Sequence, residues 1–361
     1  MKIKYNLDLI LLYIIFIINI SFFSLIDLSD DIILLCNLFF IAYIEIKYYK
    51  QKSKSTYKFK YIVLFTIILI ITSSYQSMEL YNQSLFLGIR PQRHFFVIML
   101  LYFPFSKLLN LNKISKEDII KMIYRIALIQ LFIQIAYYIS GGRLSFINLF
   151  YDYRYGEIRL RADSCLINLL FVITVSNFIK GKNRIINLIY SVINVIYVMF
   201  MLKTRLLMVS YLGVLVVAFF IWKRDFAVKI MITFVAISII PVILNTEIFQ
   251  DTLETILEDD PNDIRAVGKA YYIEKLKENP ILGRGYINTD WEPAYVASGM
   301  SRKIYLNDNG ILGFTFVFGV LGLVWFLIWY IKLIRCRILF AKKRKGIYIF
   351  IILCTYWNTI T

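Results

Sequence analysis

The stretch "DNGILGFTFVFGVLGLVWFLIWYI" (308–331) decides the fold class, because after Asp308 it carries no charge over a length that crosses a bilayer. A helix needs about 20 mostly apolar residues to span the hydrocarbon core. The whole chain has the same character: 59% of its 361 residues are hydrophobic, and its mean hydropathy is +0.66. One soluble core could not bury so much apolar surface, so lipid is the expected solvent.

Similar stretches recur and predict an all-α, polytopic membrane protein that forms a single membrane domain over residues 1–361. We expect about eleven transmembrane helices, within a range of roughly ten to twelve. The first is too long for a cleaved leader and no small-residue cleavage site follows it, so we expect a permanent helix. The predicted spans are 7–26, 31–46, 61–77, 95–110, 119–140, 162–179, 185–202, 206–222, 226–244, 308–331 and 346–361.

The distribution of Lys and Arg predicts the orientation. With the N-terminus in the cytoplasm, the basic stretches 47–60, 180–184, 223–224 and 332–346 all face the cytoplasm, as the positive-inside rule requires. The net charge of +17 is then mainly a topology signal with some attraction to anionic membrane lipid. We expect a multi-pass protein of the cytoplasmic (inner) membrane that binds no nucleic acid.

The longest soluble segment, 245–306, is predicted to be an outward, extracytoplasmic loop. After Pro261, either Asn262 or Asp263 can cap a helix that Asn279 and Pro280 would stop. We expect this helix to be amphipathic and to lie across the outer membrane surface. Its apolar residues recur near helical spacing at Ile264, Val267, Tyr271 and Leu276.

Several familiar chemistries are disfavoured. The only histidine, His94, lies at the mouth of a predicted span, which argues against serine-histidine catalysis. The four cysteines are scattered, without the spacing of a zinc site or a disulfide framework. There is no Gly-rich phosphate loop, which disfavours an ATP-driven machine. We therefore expect neither a metal nor a cofactor.

Arginines recur instead at the outward ends of predicted spans. Taken singly, each is explained by a side chain that extends to lipid phosphates. Taken together, guanidinium groups converging from several loops would form a bidentate clamp for a phosphate or a pyrophosphate. Asp163 lies next to this set and could balance its charge or belong to the site. The set comprises Arg154, Arg159, Arg161, Arg205, Arg265 and Arg284, with Lys203 beside them.

Polar residues within the spans are expected to join helices to one another. Gln130 and Gln134 are four residues apart, and Asn187, Ser191 and Asn194 share one helical face. Amides and hydroxyls in membranes commonly bond to neighbouring helices. No charged residue lies convincingly in mid-span, which argues against an ion-coupled transporter.

The order of these features resembles the O-antigen polymerase and ligase superfamily, specifically bacterial polysaccharide repeat-unit polymerases. In that family an outward Arg precedes an "NPxxGxG"-like stretch. Here the stretch is "NPILGRG" (279–285), and Arg265 stands where the Arg does. The likeness covers most of the chain by architecture and about 60 residues by motif. The ligases typically carry a His at the entry to the late helix, where this chain has Asn307, Asp308 and Asn309, and this difference favours a polymerase.

The resemblance implies transfer of a growing glycan from undecaprenyl pyrophosphate to a sugar hydroxyl of another lipid-linked repeat unit, outside the membrane. The product would be a capsular, exopolysaccharide or O-antigen chain, with a chain-length regulator and a flippase as possible partners. Arg161, Arg205 and Arg265 would form the clamp, with Arg154, Arg159 and Arg284 as second choices. Asp308 is the first candidate for the group that orients or deprotonates the acceptor, and Asp163 the second.

Asp308 has two competing roles. If it caps the following helix, its charged form is favoured and it serves as an orienting group. If it is the base, Asn307 or Asn309 should cap the helix. Two alternatives to a polymerase remain: an O-antigen or wall-glycan ligase, and a flippase that moves lipid-linked oligosaccharides.

Overall fold

The computed structural model describes residues 6–26, 28–51, 57, 59–154, 157–221, 264–299 and 306–341. The predicted spans at 226–244 and 346–361, and residues 245–263 and 300–305 of the predicted outward loop, lie outside the described residues. The described chain is mostly helical, as predicted. Its helices are α1 (Leu7–Asn19), α2 (Ser21–Ser24), α3 (Asp30–Lys47), α4 (Lys60–Tyr81), α5 (Leu85–Leu100), α6 (Tyr102–Asn110), α7 (Lys116–Ile139), α8 (Cys165–Ile179), α9 (Arg184–Ile196), α10 (Arg205–Ile221), α11 (Ile264–Glu278), α12 (Ala294–Ala297) and α13 (Gly310–Ala341).

Within the described residues, four helical stretches are long and apolar enough to cross a membrane. Shorter apolar helices cover Leu7–Asn19, Cys165–Ile179 and Leu207–Val216. These helices are compatible with a multi-pass membrane protein. The count of about eleven spans stays a prediction, as does their orientation. The four long stretches are Lys60–Tyr81, Lys116–Ile139, Arg184–Leu202 and Gly310–Lys332.

Helix α9 has an inverted polarity that fits a lipid environment. Its Asn187, Ser191 and Asn194 are buried, whereas Ile185 is 76% exposed on the surface of the helix bundle. The Ser191 hydroxyl donates to Thr174 Oγ1 of α8 at 2.9 Å, which confirms the predicted joining of helices for Ser191. The amides of Asn187 and Asn194 instead donate to carbonyls of Asn183 and Tyr190, within α9 or at its start. A π-helix, Tyr197–Leu202, continues α9 and buries Tyr197 completely. In water such an outward apolar face would be unfavourable, but lipid solvates it.

An antiparallel hairpin between α7 and α8 departs from the all-α prediction. Strand β1 (Phe150–Arg154) pairs with β2 (Glu157–Arg161), with Asp152 opposite Arg159. Leu160 is buried against the helices, because side chains alternate between the two faces of a strand. The predicted Arg-bearing loop is therefore a short two-stranded sheet, and its arginines hold fixed positions along the strands.

The predicted helix of the long loop is confirmed as α11, which ends at Glu278, directly before Asn279 and Pro280. Tyr272 is completely buried, and its ring centroid lies 4.8 Å from that of Phe316 in α13. Helix α11 therefore packs on α13 through Tyr272. Val267 and Ile273 are exposed, which is compatible with the predicted place at a membrane surface.

Helix α13 is broken at Gly319, where the backbone adopts φ 62° and ψ −161°. The segment that follows α11, 280–285, inserts at this break and is called the wedge below. The Arg284 and Gly285 N–H groups donate to the Phe316 and Val317 carbonyls at 2.7 and 3.1 Å. In return, the Val320 and Leu321 N–H groups donate to the carbonyls of Pro280 and Ile281 at 2.9 and 3.1 Å. Two helical hydrogen bonds are thus replaced by four bonds to the wedge.

A Cβ atom at Gly319 should destabilise this junction. It would lie 2.3 Å from the Ile281 carbonyl oxygen, in a backbone conformation that only glycine adopts readily. We expect Gly319→Ala to lower the free energy of unfolding by about 3 kcal/mol or more, measured as thermal unfolding in detergent. Gly213→Ala in α10 is the matched control, since a Cβ there meets nothing within 4 Å. Equal unfolding midpoints for the two variants would contradict the wedge geometry.

Candidate functional site

The wedge places Arg284 at the C-terminal ends of α4 and α11, beside the break in α13. The Arg284 side chain is largely buried, and its Nε donates to the Tyr81 hydroxyl at 2.8 Å. Its guanidinium carbon lies 5.2 Å from the Tyr81 ring centroid, and its Nη1 forms an ion pair with Glu278. One arginine therefore joins the last residue of α4 to the last residue of α11, which fixes the entry to the wedge.

The pKa of Glu278 is lowered by the hydrogen bond from Lys275 and then by that from Arg284. Glu278 therefore remains a carboxylate at neutral pH and keeps the charge of Arg284 balanced. An anion that binds Arg284 must either exchange with this carboxylate or share the guanidinium with it.

A glutamine between α4 and α5 fixes the chain that leaves the wedge. The Gln83 amide donates to the Tyr286 carbonyl at 2.9 Å and to the Ser77 hydroxyl at 3.1 Å. Its carbonyl accepts from the Asn288 N–H at 2.8 Å, and Asn288 in turn donates to the Leu87 carbonyl at 2.9 Å. Because Gln83 and Asn288 are buried, this network fixes segment 286–290 in one position.

The wedge also needs a close approach to α4. A Cβ at Gly285 would lie 2.3 Å from the Ser73 carbonyl oxygen and 2.4 Å from the Ser77 nitrogen. Helix α4 presents small serines at this contact, and Ser73 donates to Gln92 Oε1 of α5 at 3.0 Å. The "NPxxGxG"-like residues are therefore the ones that the packing requires, since Gly283 and Gly285 both lie against backbone atoms.

The arginines of the hairpin have different surroundings. Arg159 Nε donates to the Asp152 carboxylate on the opposite strand at 3.1 Å. Arg161 is exposed at the end of β2, and its guanidinium carbon lies 5.6 Å from the Phe150 ring centroid. Of these two predicted phosphate ligands, Arg159 has a carboxylate partner within the hairpin, whereas Arg161 stacks on an aromatic ring.

Asp163 is held at the start of α8 by two glutamines of α7. Gln130 and Gln134 donate to its backbone carbonyl at 3.1 and 3.0 Å, which confirms their predicted role in joining spans. Its carboxylate Oδ1 accepts from the Cys165 N–H at 2.9 Å. One carboxylate oxygen therefore stabilises the first turn of α8, and the side chain is exposed there.

The side chains of Arg154, Arg205, Arg265, Asn307 and Asp308 lie outside the described residues. Their backbone positions are known. Arg154 ends β1, Arg205 begins α10 and Arg265 lies in the first turn of α11. Asn307 and Asp308 lie in the 3-10 turn Leu306–Asn309, which leads directly into α13, and Asn309 is partly buried. The capping or catalytic role of Asp308 stays open.

The predicted residues form two sets. The hairpin set, at the ends of α7 to α10, comprises Arg154, Arg159, Arg161, Asp163 and Arg205. The wedge set, on α11, the wedge and the turn before α13, comprises Arg265, Arg284, Asn307, Asp308 and Asn309, and within it Arg265 and Arg284 lie at opposite ends of α11. The predicted topology places both sets on the outer side. Sequence reasoning missed Tyr81, Gln83, Glu278 and Asn288, because their partners lie far away in the chain or on the next element.

The chain matches no protein-family model, no curated protein and no solved structure. The likeness to polysaccharide polymerases therefore rests on the sequence motif and on the order of the predicted spans and loops.

Removal of the Gln83 side chain should loosen the wedge set. Gln83→Ala deletes three hydrogen bonds and leaves the Asn288 N–H and the Tyr286 carbonyl without this partner, at a cost of about 2 to 4 kcal/mol. We expect a lower thermal midpoint and faster tryptic cleavage after Arg284. Gln51→Ala, which removes an exposed amide, is the control. Unchanged cleavage at Arg284 would show that the network does not hold this segment.

Proposed function

We propose that the protein polymerises lipid-linked oligosaccharide repeat units on the outer side of the cytoplasmic membrane. The donor is a glycan on undecaprenyl pyrophosphate, and the acceptor is a sugar hydroxyl of a second lipid-linked unit. The observation that supports this proposal most is the position of the "NPxxGxG"-like motif in the fold. The "NPILGRG" stretch closes a break in α13 and sets Arg284 at the ends of α4 and α11.

The reaction requires a defined exchange of bonds. The acceptor hydroxyl oxygen attacks the anomeric carbon of the donor glycan, and the bond from that carbon to the pyrophosphate oxygen breaks. The hydroxyl proton passes to a carboxylate, for which Asp308 is the first candidate and Asp163 the second. Undecaprenyl pyrophosphate leaves with the bonding electron pair.

Stabilisation of the leaving pyrophosphate is the main electrostatic task, and guanidinium groups perform it without a metal ion. Arg161, Arg205 and Arg265 are the proposed clamp. Arg161 is exposed, so it is available to a ligand. Arg284 and Arg159 already have carboxylate partners, so we assign them to positioning the substrate and keep them as second choices for contact with the pyrophosphate. The polyprenyl tails would occupy apolar grooves between helices.

Loss of one clamp arginine should impair chain growth. Purified protein in lipid nanodiscs, supplied with lipid-linked repeat units and no nucleotide, should build a ladder of longer glycans on a gel. We expect Arg205→Ala and Arg265→Ala each to slow the ladder by about 100-fold, the usual cost of removing one stabilising donor. Arg184→Ala, at the predicted cytoplasmic end of α9, should leave the rate unchanged.

Other outcomes would point elsewhere. Transport of labelled lipid-linked units without chain growth would support a flippase, and a single transfer to a different acceptor would support a ligase. Wild-type rates in both Arg205→Ala and Arg265→Ala would refute the clamp.

A further inference from the structure

Two aromatic rings form a corner beside Arg284. The ring centroids of Tyr81 and Trp291 are 6.3 Å apart, and their planes are inclined by 58°. The Arg284 guanidinium lies over the Tyr81 ring, whereas Trp291 is partly exposed. Trp291 is therefore the ring that can offer a face to a ligand.

Carboxylates lie next to Arg284 and on either side of Trp291 in the chain. The Glu278 side chain is 49% exposed, although it pairs with Arg284. Asp290 and Glu292 flank Trp291 in the chain, and both are exposed. Asp290 Oδ2 lies 3.4 Å from Arg90 Nη1, in an ion pair that is open to solvent. The corner thus combines an apolar face with both donors and acceptors.

This combination matches the chemistry of a sugar ring. One face of a pyranose presents C–H groups that pack on an aromatic ring, while its hydroxyls bond to carboxylates and guanidinium groups. We propose that Trp291 and Tyr81 form a sugar-binding subsite, in which Glu278 and Arg284 bind hydroxyls of a glycan. The proposal rests on the proposed function in one respect, that the sugar belongs to a lipid-linked repeat unit.

A membrane anchor is the competing explanation, since Trp and Tyr are enriched at membrane interfaces. Two observations favour the sugar. The nearby cations Arg284, Lys275 and Arg90 all have carboxylate partners, so none of these three charges is left without a partner to attract anionic headgroups. In addition, the backbone N–H of Trp291 donates to the Asn288 carbonyl at 3.0 Å, and Gln83 holds Asn288. The main chain that carries the ring is thereby held in place before a ligand arrives, which suits a binding site.

The probe is the free oligosaccharide that mild acid releases from the lipid-linked glycans of the bacterium that carries this chain. It is titrated by calorimetry into the full-length protein in uncharged phosphatidylcholine nanodiscs. We expect saturable binding by the wild type and about 10-fold weaker binding by Trp291→Ala. Trp291→Phe keeps a ring and should fall between the two. Tyr81→Ala should also bind more weakly than the wild type. Its matched control, Tyr61→Ala at the other end of α4, should bind like the wild type.

The outcomes are separable. Equal affinities of the wild type and Trp291→Ala, at similar thermal midpoints, would overturn the subsite, as would absent binding by the wild type. Quenching of Trp291 by headgroup spin labels that the oligosaccharide does not relieve would assign the corner to the membrane and also overturn it. Binding without a glycan ladder would refute polymerisation and leave the subsite standing. If Trp291→Ala built the glycan ladder at an unchanged rate and with an unchanged donor KM, the subsite would be refuted and polymerisation would stand.

Discussion

The break in α13 is the constraint on which the wedge set depends. A helix in lipid must satisfy its backbone groups internally, because no water is available to bond to them. At Gly319 the helix gives up two of its own hydrogen bonds, and the wedge supplies four. This exchange is possible only where two backbone segments approach without side chains between them. Gly283 therefore lies opposite Gly319. Once the wedge is seated, the positions of Arg284, Tyr286 and Asn288 follow.

The same device fixes both sets of candidate residues. In each, a glutamine amide donates to a backbone carbonyl of another segment: Gln83, between α4 and α5, to Tyr286, and Gln130 with Gln134 of α7 to Asp163. A glutamine suits this role, because its amide is neutral and its long stem reaches beyond its own backbone. Polar residues that join helices thereby also position the loops that carry the charged residues.

Hydropathy and helix-stop signals predicted much of the fold. Residues 308–331 are apolar enough to cross a membrane, and Asn279 with Pro280 ends α11 as expected. The break at Gly319 escaped, because glycine is common in transmembrane helices and its unusual torsion depends on a partner some 35 residues earlier in the chain. The hairpin had a sequence signal: Ile158 and Leu160 alternate with Arg159 and Arg161, which is the period of a strand. Contacts such as Arg284 with Tyr81, 203 positions apart, have no signal in a single sequence.

The pairing of charges separates the roles of the arginines. Arg159 and Arg284 each have a carboxylate partner, so a pyrophosphate that bound them would have to displace Asp152 or Glu278 or share the guanidinium with that like charge. A sugar hydroxyl has no such requirement, because it is neutral and can donate to the carboxylate while it accepts from the guanidinium. In the proposed reaction, the Arg284–Glu278 pair is therefore better matched to the glycan than to the phosphates. Proposed phosphate recognition then falls to arginines such as Arg161, whose guanidinium lies over the neutral ring of Phe150.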